Sequence, residues 1–368
     1  MIHSARCRGR GSLVLSAARS GIPAFAKPGG KIVAALMIAL CTTLTPALAQ
    51  DEVKIGTGFG LAFLPVYICE DLKLVEKYGH MAGLNVKASF PRFMGAAQMQ
   101  DALASGTIAM APFGTAPLLA AWETSKDTPN QIVAVSGITS LPLILLSDRS
   151  DEQSLADLKP DDRIAMPTLS SPQMYVLEMQ SEKIFGQYDK LRGQAVALSH
   201  ADAIAALMAG AGEAAGQATG QDAERVTAYF SSPPFTQLAL REAIVHPLLN
   251  SSDVMGKSSF LIMGATKATI EAQPQMPQVM EKAMDEAARL IHDDPRRAAQ
   301  IFLTHEPSGS FDSAAMAAAI KDIRDEFGSA IYGVQTMADF MGRHGELKSP
   351  PRSWKDIVAP ALLSSPST

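Results

Sequence analysis

The amino-acid sequence predicts an α/β protein built from two related lobes, and three observations support that prediction. Runs typical of strands alternate with runs typical of helices, which is the pattern of a parallel α/β sheet. A unit of helix, strand, small hydroxyl residues and proline occurs twice, once in "ALASGTIAMAPFGTAP" and once in "ALMAG" followed by "VTAYFSSPPF". The chain has 368 residues, a length that suits two domains better than one.

The first 49 residues are predicted to be a cleaved secretory signal peptide. They hold six basic residues and no acidic one, then the apolar run "IVAALMIALCTTL", then "ALAQ" with small residues placed for cleavage after Ala49. The apolar run has 13 residues, fewer than the roughly 20 that span a bilayer, so a membrane anchor is the weaker interpretation. Removing those six residues from the 32 Lys and Arg leaves 26 against 37 Asp and Glu, a net charge of −11. That acidity argues against a nucleic-acid-binding surface.

Motifs for metal binding and catalysis are missing from the sequence. Cys7 and Cys41 leave with the predicted signal peptide, so Cys69 cannot form an internal disulfide and is predicted to be a small buried thiol. The seven histidines have no metal-ligand spacing, and no phosphate-loop, dinucleotide or serine-elbow motif occurs. We therefore expect no metal, no cofactor and no catalytic residue.

The elements of the first lobe follow one another in the order strand, helix, strand. The strand "EVKIGTGFG" ends in glycines, and a helix follows in which Pro65 suits the first turn and Gly79 the end. The next elements are the strand "LNVKASF", a helix that ends at Gly106 and the strand "TIAMAPF". Two further strands are predicted in "QIVAVSGI" and in "LPLILLSD", whose continuous apolar run favours burial on both faces.

The same alternation restarts in the second lobe. A short helix at "SLADLK", a strand Arg163 to Met166, a polar loop and a helix are followed by the strands "QAVALS" and "VTAYF" on either side of the helix "ADAIAALMAG". The Ala, Gly and Gln-rich stretch Ala211 to Arg225 is predicted to be a surface insertion. A last strand, "SSFLIMGATK", precedes a mostly helical C-terminal region.

Ligand-binding residues are expected where strands end, because the loops there lead into helix N-termini whose free N–H groups favour polar and anionic groups. Four loops have that position: "TGFGLAF", "FGTAP", "TLSSPQ" and "FSSPPF". Their glycines let the backbone approach a ligand, their hydroxyls can bind a polar group, and their aromatic rings can stack on an apolar body. The candidates are Phe59, Gly60, Phe63, Arg92, Gly114, Thr115, Ser170, Ser171, Gln173, Tyr175, Ser231, Ser232 and Phe235.

Several candidates have a structural alternative. Phe59, Phe63 and Tyr175 are equally well explained as core residues, Thr115 as a helix cap, and Arg92 as a solvated surface residue.

The hydroxyls of "TLSSPQ" make the stronger case, because one serine suffices as a helix cap and the surplus hydroxyls need another partner. In "FSSPPF", Ser232 is predicted to be the cap and Pro233 and Pro234 to form the first helical turn. Asp202 is predicted to cap the helix that follows His200, and a cleft role for His200 stays open.

At "ALASGTIAMAPFGTAPLLAA", "SLADLKPDDRIAMPTLSSPQ" and "ALMAG" before "VTAYFSSPPF" the chain resembles the substrate-binding proteins of nitrate/sulfonate/taurine-type ABC importers, which include pyrimidine-precursor binders. The resemblance covers about Lys54 to Ala338. It implies a type II periplasmic binding fold, in which each lobe is a mixed, mostly parallel sheet flanked by helices and the ligand cleft lies between the lobes. It assigns residues 50–143 and 258–368 to lobe 1 and residues 144–257 to lobe 2. The chain departs from the family at "KPDDRIAM", where relatives usually carry Gly-Lys-Lys.

The function that this resemblance implies is capture of a small solute by lobe closure and delivery to a membrane permease with its ATPase. The protein would be a periplasmic monomer, and the solute a sulfonate, nitrate, a pyrimidine precursor or an aromatic acid. Scarce pocket cations favour a neutral, zwitterionic or apolar-bodied solute, yet helix N-termini can hold an anion, so both stay open. A secreted sensory protein is an alternative. An enzyme resembling the pyrimidine-synthesis relatives is disfavoured, because the mature chain lacks their cysteine cluster.

Overall fold

The computed structural model describes residues 51–211, 226–307, 309 and 311–363. The predicted signal peptide at 1–49 and the predicted insertion beyond Ala211 lie outside the described residues. Within these ranges no helix has the length and apolar character needed to cross a membrane.

The described chain alternates strands with helices as the sequence predicts. Its strands are β1 (Asp51–Lys54), β2 (Val86–Ser89), β3 (Met110–Phe113), β4 (Ile132–Thr139), β5 (Ile144–Ser147), β6 (Arg163–Met166), β7 (Ala195–Ala197), β8 (Val226–Ser231), β9 (His246–Asn250) and β10 (Leu261–Thr266). Its α-helices are α1 (Leu64–Asp71), α2 (Leu74–Met81), α3 (Ala96–Ala104), α4 (Thr115–Thr124), α5 (Pro172–Phe185), α6 (His200–Ala211), α7 (Phe235–Ala239), α8 (Ser251–Met255), α9 (Lys267–Ala272), α10 (Met276–Asp293), α11 (Pro295–His305), α12 (Ser313–Asp322) and α13 (Val334–Arg343).

Lobe 1 is built on strands β1 to β4 and β10. Strand β1 pairs in parallel with β2, and an isolated parallel bridge between Ile55 and Met110 links it to β3. Strand β10 lies between β3 and β4 and is antiparallel to both. One large apolar core joins these strands to α1, α4, α10 and α13, and it includes the fully buried thiol of Cys69. The predicted buried thiol is confirmed.

Lobe 2 is a five-stranded sheet in the order β7-β6-β8-β5-β9. Strand β6 is parallel to β7 and β8, whereas β5 is antiparallel to β8 and β9. Side chains alternate between two apolar clusters on opposite faces: Leu145 and Phe230 belong to one, Leu146 and Tyr229 to the other. This alternation confirms that β5 is buried on both faces.

The sheets are mixed, as predicted, and the antiparallel ladders are more numerous than the sequence suggested. They come from β5, which lies between β8 and β9, and from β10, which lies between β3 and β4. Strand β9 was not predicted from the sequence, and the lobe boundaries at 143/144 and 257/258 stay predictions.

Candidate functional site

A cleft of about 1070 Å3 lies at the carboxyl ends of strands from lobe 1 and lobe 2, which is where open α/β sheets bind ligands. Its walls are the loops that follow β1, β3, β6, β7 and β8. On lobe 1 its lining includes Ala104 of α3 and Ala120 and Ala121 of α4. These small side chains leave room between the two helices.

Nine of the thirteen predicted site residues line this cleft. They are Phe59, Gly60, Phe63, Gly114, Ser170, Ser171, Tyr175, Ser232 and Phe235. The four loops chosen from the sequence therefore meet at one place, although they are spread over some 180 residues of chain.

Arg92 lies outside the cleft lining because its guanidinium group has other partners. It donates to the carbonyl oxygen of His305 at 3.0 Å, and its second terminal nitrogen lies 2.9 Å from Nδ1 of the same residue. The guanidinium also lies over the rings of Phe59 and Tyr67, at 5.2 and 4.7 Å from their centroids. These contacts make Arg92 a support for the first loop.

The other three candidates outside the lining are buried in the protein. Thr115 donates from Oγ1 to the carbonyl oxygen of Ser259 at 2.6 Å and borders a smaller cavity beside the cleft. Ser231 is fully buried and donates to the carbonyl oxygen of Ile144 at 2.8 Å. Gln173 is 2% exposed on α5. None of the three faces the cleft.

Ser171 has the most informative geometry in the site. It precedes Pro172 at the N-terminus of the 14-residue helix α5, yet its side chain makes no capping hydrogen bond. The residue is 9% exposed, lines the cleft, and its Oγ has no hydrogen-bond partner. A buried hydroxyl without a partner is costly, and this one is closed to solvent, so turning it toward the cleft and a ligand group would break no hydrogen bond. The dipole of α5 favours an electronegative group at the same place.

Two predicted helix caps differ from the structure. Helix α7 begins at Phe235 with Pro234 at the N-cap position, and no side chain caps it, so Ser232 is not its cap. Helix α6 is capped by Ser199, whose Oγ accepts the N–H of Asp202 at 3.2 Å. Both predictions were wrong because a neighbouring residue took the capping position.

The Ser232 side chain, which caps no helix, contacts His200, and His200 lines the same cleft. Ser232 Oγ lies 3.1 Å from His200 Nε2, and His200 Nδ1 is hydrogen-bonded to the hydroxyl of Tyr229. The imidazole stacks on Phe235 with ring centroids 4.7 Å apart. Burial lowers the pKa of His200 to about 4 and raises that of Tyr229, so both are neutral near pH 7.

On the lobe 1 side, the first loop is held by Glu306. The N–H of Gly60 donates to Glu306 Oε1 at 2.7 Å, and the hydroxyl of Tyr67 is bonded to the same oxygen. Burial and this hydrogen bond raise the pKa of Tyr67. A ligand group would have to displace Glu306 to reach the N–H of Gly60.

The C-terminal part of the chain contributes Met341 and Glu346 to the cleft lining and contacts α5 in ways that the sequence did not indicate. Tyr175 donates to Glu346 at 2.8 Å, and Glu182, also on α5, pairs with Arg343 at 3.0 Å and His344 at 2.9 Å. Burial, then the Glu346 contact, raises the pKa of Tyr175. No local motif surrounds Glu346, and its partner is 171 positions away, so sequence patterns could not have found it.

The charge of the cleft is unusual for a site that takes anions. Of the described residues, those that line it include the acids Asp101 and Glu346 and no Lys or Arg. The same ranges contain no cluster of His, Cys, Asp and Glu able to hold a metal ion. Polar recognition therefore falls to hydroxyls, backbone N–H groups, the side-chain amides of Gln100 and Asn130, and the two acids.

No protein-family model and no curated protein sequence matches the chain. The periplasmic aliphatic sulphonate binding protein SsuA from Escherichia coli matches with a TM-score of 0.64 and 18% identity, over 84% of this chain and 99% of that one. The alkanesulfonate-binding protein SsuA from Xanthomonas axonopodis pv. citri, bound to MOPS, matches with a TM-score of 0.60 and 18% identity, over 84% and 97%. The chain has the periplasmic binding protein fold.

The fold implied by the sequence resemblance is thus confirmed. A cysteine-to-serine mutant of DszB in complex with biphenyl-2-sulfinic acid also matches, with a TM-score of 0.52 and 13% identity over 84% and 97% of the two chains. DszB is an enzyme, so this fold does not by itself determine whether a bound ligand is transported or converted.

Proposed function

We propose that the protein is the solute-binding component of an ABC importer, which captures a small solute between its lobes and delivers it to a membrane permease. The fold and the convergence of strand-end loops on one cleft support this proposal. The observation that carries it is the buried, unpartnered hydroxyl of Ser171 at the start of α5. A bound solute would supply the missing hydrogen bond.

The lining of the cleft favours an organic solute with a polar end and an apolar body. Ser171 and Ser232 can bind the polar end on lobe 2. Phe59, Phe63 and Phe235 provide aromatic surface for the body. Nitrate has no such body, so sulfonates, aromatic acids and pyrimidine precursors fit this lining better.

The cellular setting that we propose is the periplasm, reached through the predicted signal peptide, with a monomeric protein that closes its lobes on the solute. The permease and its ATPase are the partners. A secreted sensory protein would use the same cleft; adjacent permease and ATPase genes would favour import, and an adjacent receptor gene would favour sensing.

Binding is tested by thermal shift and calorimetry with methanesulfonate, benzenesulfonate, benzoate, nitrate and an aminopyrimidine. We expect at least one organic solute to raise the melting temperature, and the rise to grow with solute excess over the dissociation constant. No stabilisation by any of the five would count against the proposal.

The enzyme alternative is tested in the same samples. After prolonged incubation with equimolar protein, chromatography of the released solute should return it unchanged. Consumption of the solute at a rate set by the protein concentration would favour an enzyme on this fold.

A further inference from the structure

The hydrogen bonds of His200 are arranged in a chain that ends in the cleft. The hydroxyl of Tyr229 is bonded to Nδ1, and Nε2 faces Ser232 Oγ at 3.1 Å. Tyr229 is fully buried on β8, whereas Ser232 is 8% exposed and lines the cleft. The stacked ring of Phe235 fixes the plane of the imidazole between these two partners.

Neutral imidazole carries a proton on only one nitrogen, so the chain can run in two directions. With the proton on Nε2, the Tyr229 hydroxyl donates to Nδ1, and Nε2–H donates to Ser232 Oγ; every buried proton has an acceptor. With the proton on Nδ1, the imidazole donates to the Tyr229 oxygen, and the buried phenol proton loses its acceptor. The cost of an unmade buried hydrogen bond favours the first arrangement.

In the first arrangement Ser232 Oγ accepts from His200, so one of its two lone pairs is occupied and its own proton is free to point into the cleft. We infer that His200 is a positioning residue that holds Ser232 as a hydrogen-bond donor, and that the solute group bound beside Ser232 is an acceptor such as a carboxylate, sulfonate or carbonyl oxygen. This inference rests on the proposed function, since it assigns the chemistry of the same cleft.

The tautomer is measured on the solute-free protein, by long-range proton–nitrogen NMR of histidine in 15N-labelled protein at pH 7. The His200 signals are assigned by their loss in His200→Gln. We expect the pattern of an imidazole protonated on Nε2 alone. A pattern with the proton on Nδ1, or on both nitrogens, would overturn the inference without any solute being needed.

Binding provides the second readout, with benzenesulfonate as the acceptor-bearing probe and benzylamine as its donor-bearing counterpart. The wild type should bind benzenesulfonate more tightly than benzylamine. In His200→Gln the amide N–H can replace Nε2–H, and affinity for benzenesulfonate should stay within about twofold. In His200→Asn no donor reaches Ser232, and affinity should fall by about 2- to 12-fold, the effect of one neutral hydrogen bond.

The two proposals fail in different ways. Preference for benzylamine, or equal affinity of the Gln and Asn variants, would contradict the role of His200 while leaving a solute-binding protein. If neither probe binds, the proposed function loses support and the NMR tautomer alone decides the inference.

Discussion

Replacing Ser171 by alanine separates a binding role of its hydroxyl from a structural one. In the solute-free protein Oγ has no hydrogen-bond partner and does not cap α5, so the substitution breaks no bond. Leaving a buried hydroxyl unpaired costs about 1 to 3 kcal/mol, and alanine removes part of that cost. We expect the free energy of unfolding in urea to stay the same or to rise by up to about 1 kcal/mol.

Solute affinity should change in the opposite direction. Losing a hydrogen bond to a neutral acceptor costs about 0.5 to 1.5 kcal/mol, which weakens binding about 2- to 12-fold; a charged acceptor makes the loss about 12- to 150-fold. Calorimetry with the tightest solute of the panel measures this. Ser313→Ala, an exposed serine at the start of α12, is the matched control and should change neither quantity. A Ser171→Ala protein that loses more than about 1 kcal/mol of stability and keeps its affinity would show that the hydroxyl is structural and does not bind the solute.

Three further expectations concern stability. Burial lowers the pKa of His200 from 6.5 to about 4, so below pH 6.5 the unfolded chain binds a proton that the folded protein does not bind. As pH falls from 6.5 to 4, the free energy of unfolding of the wild type in urea should therefore fall by about 3 kcal/mol relative to that of His200→Gln. Parallel pH profiles of the two proteins would contradict this. Arg92→Ala should lower the free energy of unfolding by about 1 kcal/mol through its lost hydrogen bonds and leave solute affinity, measured by calorimetry, within about twofold. A tenfold weaker affinity would show that Arg92 contributes to solute binding. Gly137→Ala would bring a Cβ within 2.8 Å of the Ala330 carbonyl carbon and should lower the free energy of unfolding in urea by about 1 to 3 kcal/mol. Gly193→Ala, with open space around it, should leave that free energy unchanged. Equal effects of the two substitutions would argue against the close contact at Gly137.

Local sequence patterns predicted most of the strands and helices and the loops that form the site. The apolar run of β5 predicted burial on both faces, and the glycines and hydroxyls after β1, β3, β6 and β8 marked the cleft. Such features depend on residues that are neighbours in sequence, where periodicity and turn chemistry act.

Contacts between distant segments were beyond those patterns. Arg92 was named as a candidate site residue because nothing local shows that His305, 213 positions later, binds its guanidinium. Gly60 was expected to let the backbone approach a ligand, and nothing local shows that Glu306, 246 positions later, accepts its N–H. The place of His200 in the cleft depends on the packing of β7 and β8, which puts it beside Ser232, 32 positions later in the chain.

A crystal structure of the protein with its tightest solute would show directly whether Ser171 binds the solute. We expect the solute to lie between the two lobes, with an acceptor atom within hydrogen-bond distance of Ser171 Oγ and its body against Phe59, Phe63 or Phe235. A solute bound outside this cleft, or one inside it that leaves Ser171 Oγ without a partner, would show that Ser171 is not a binding residue.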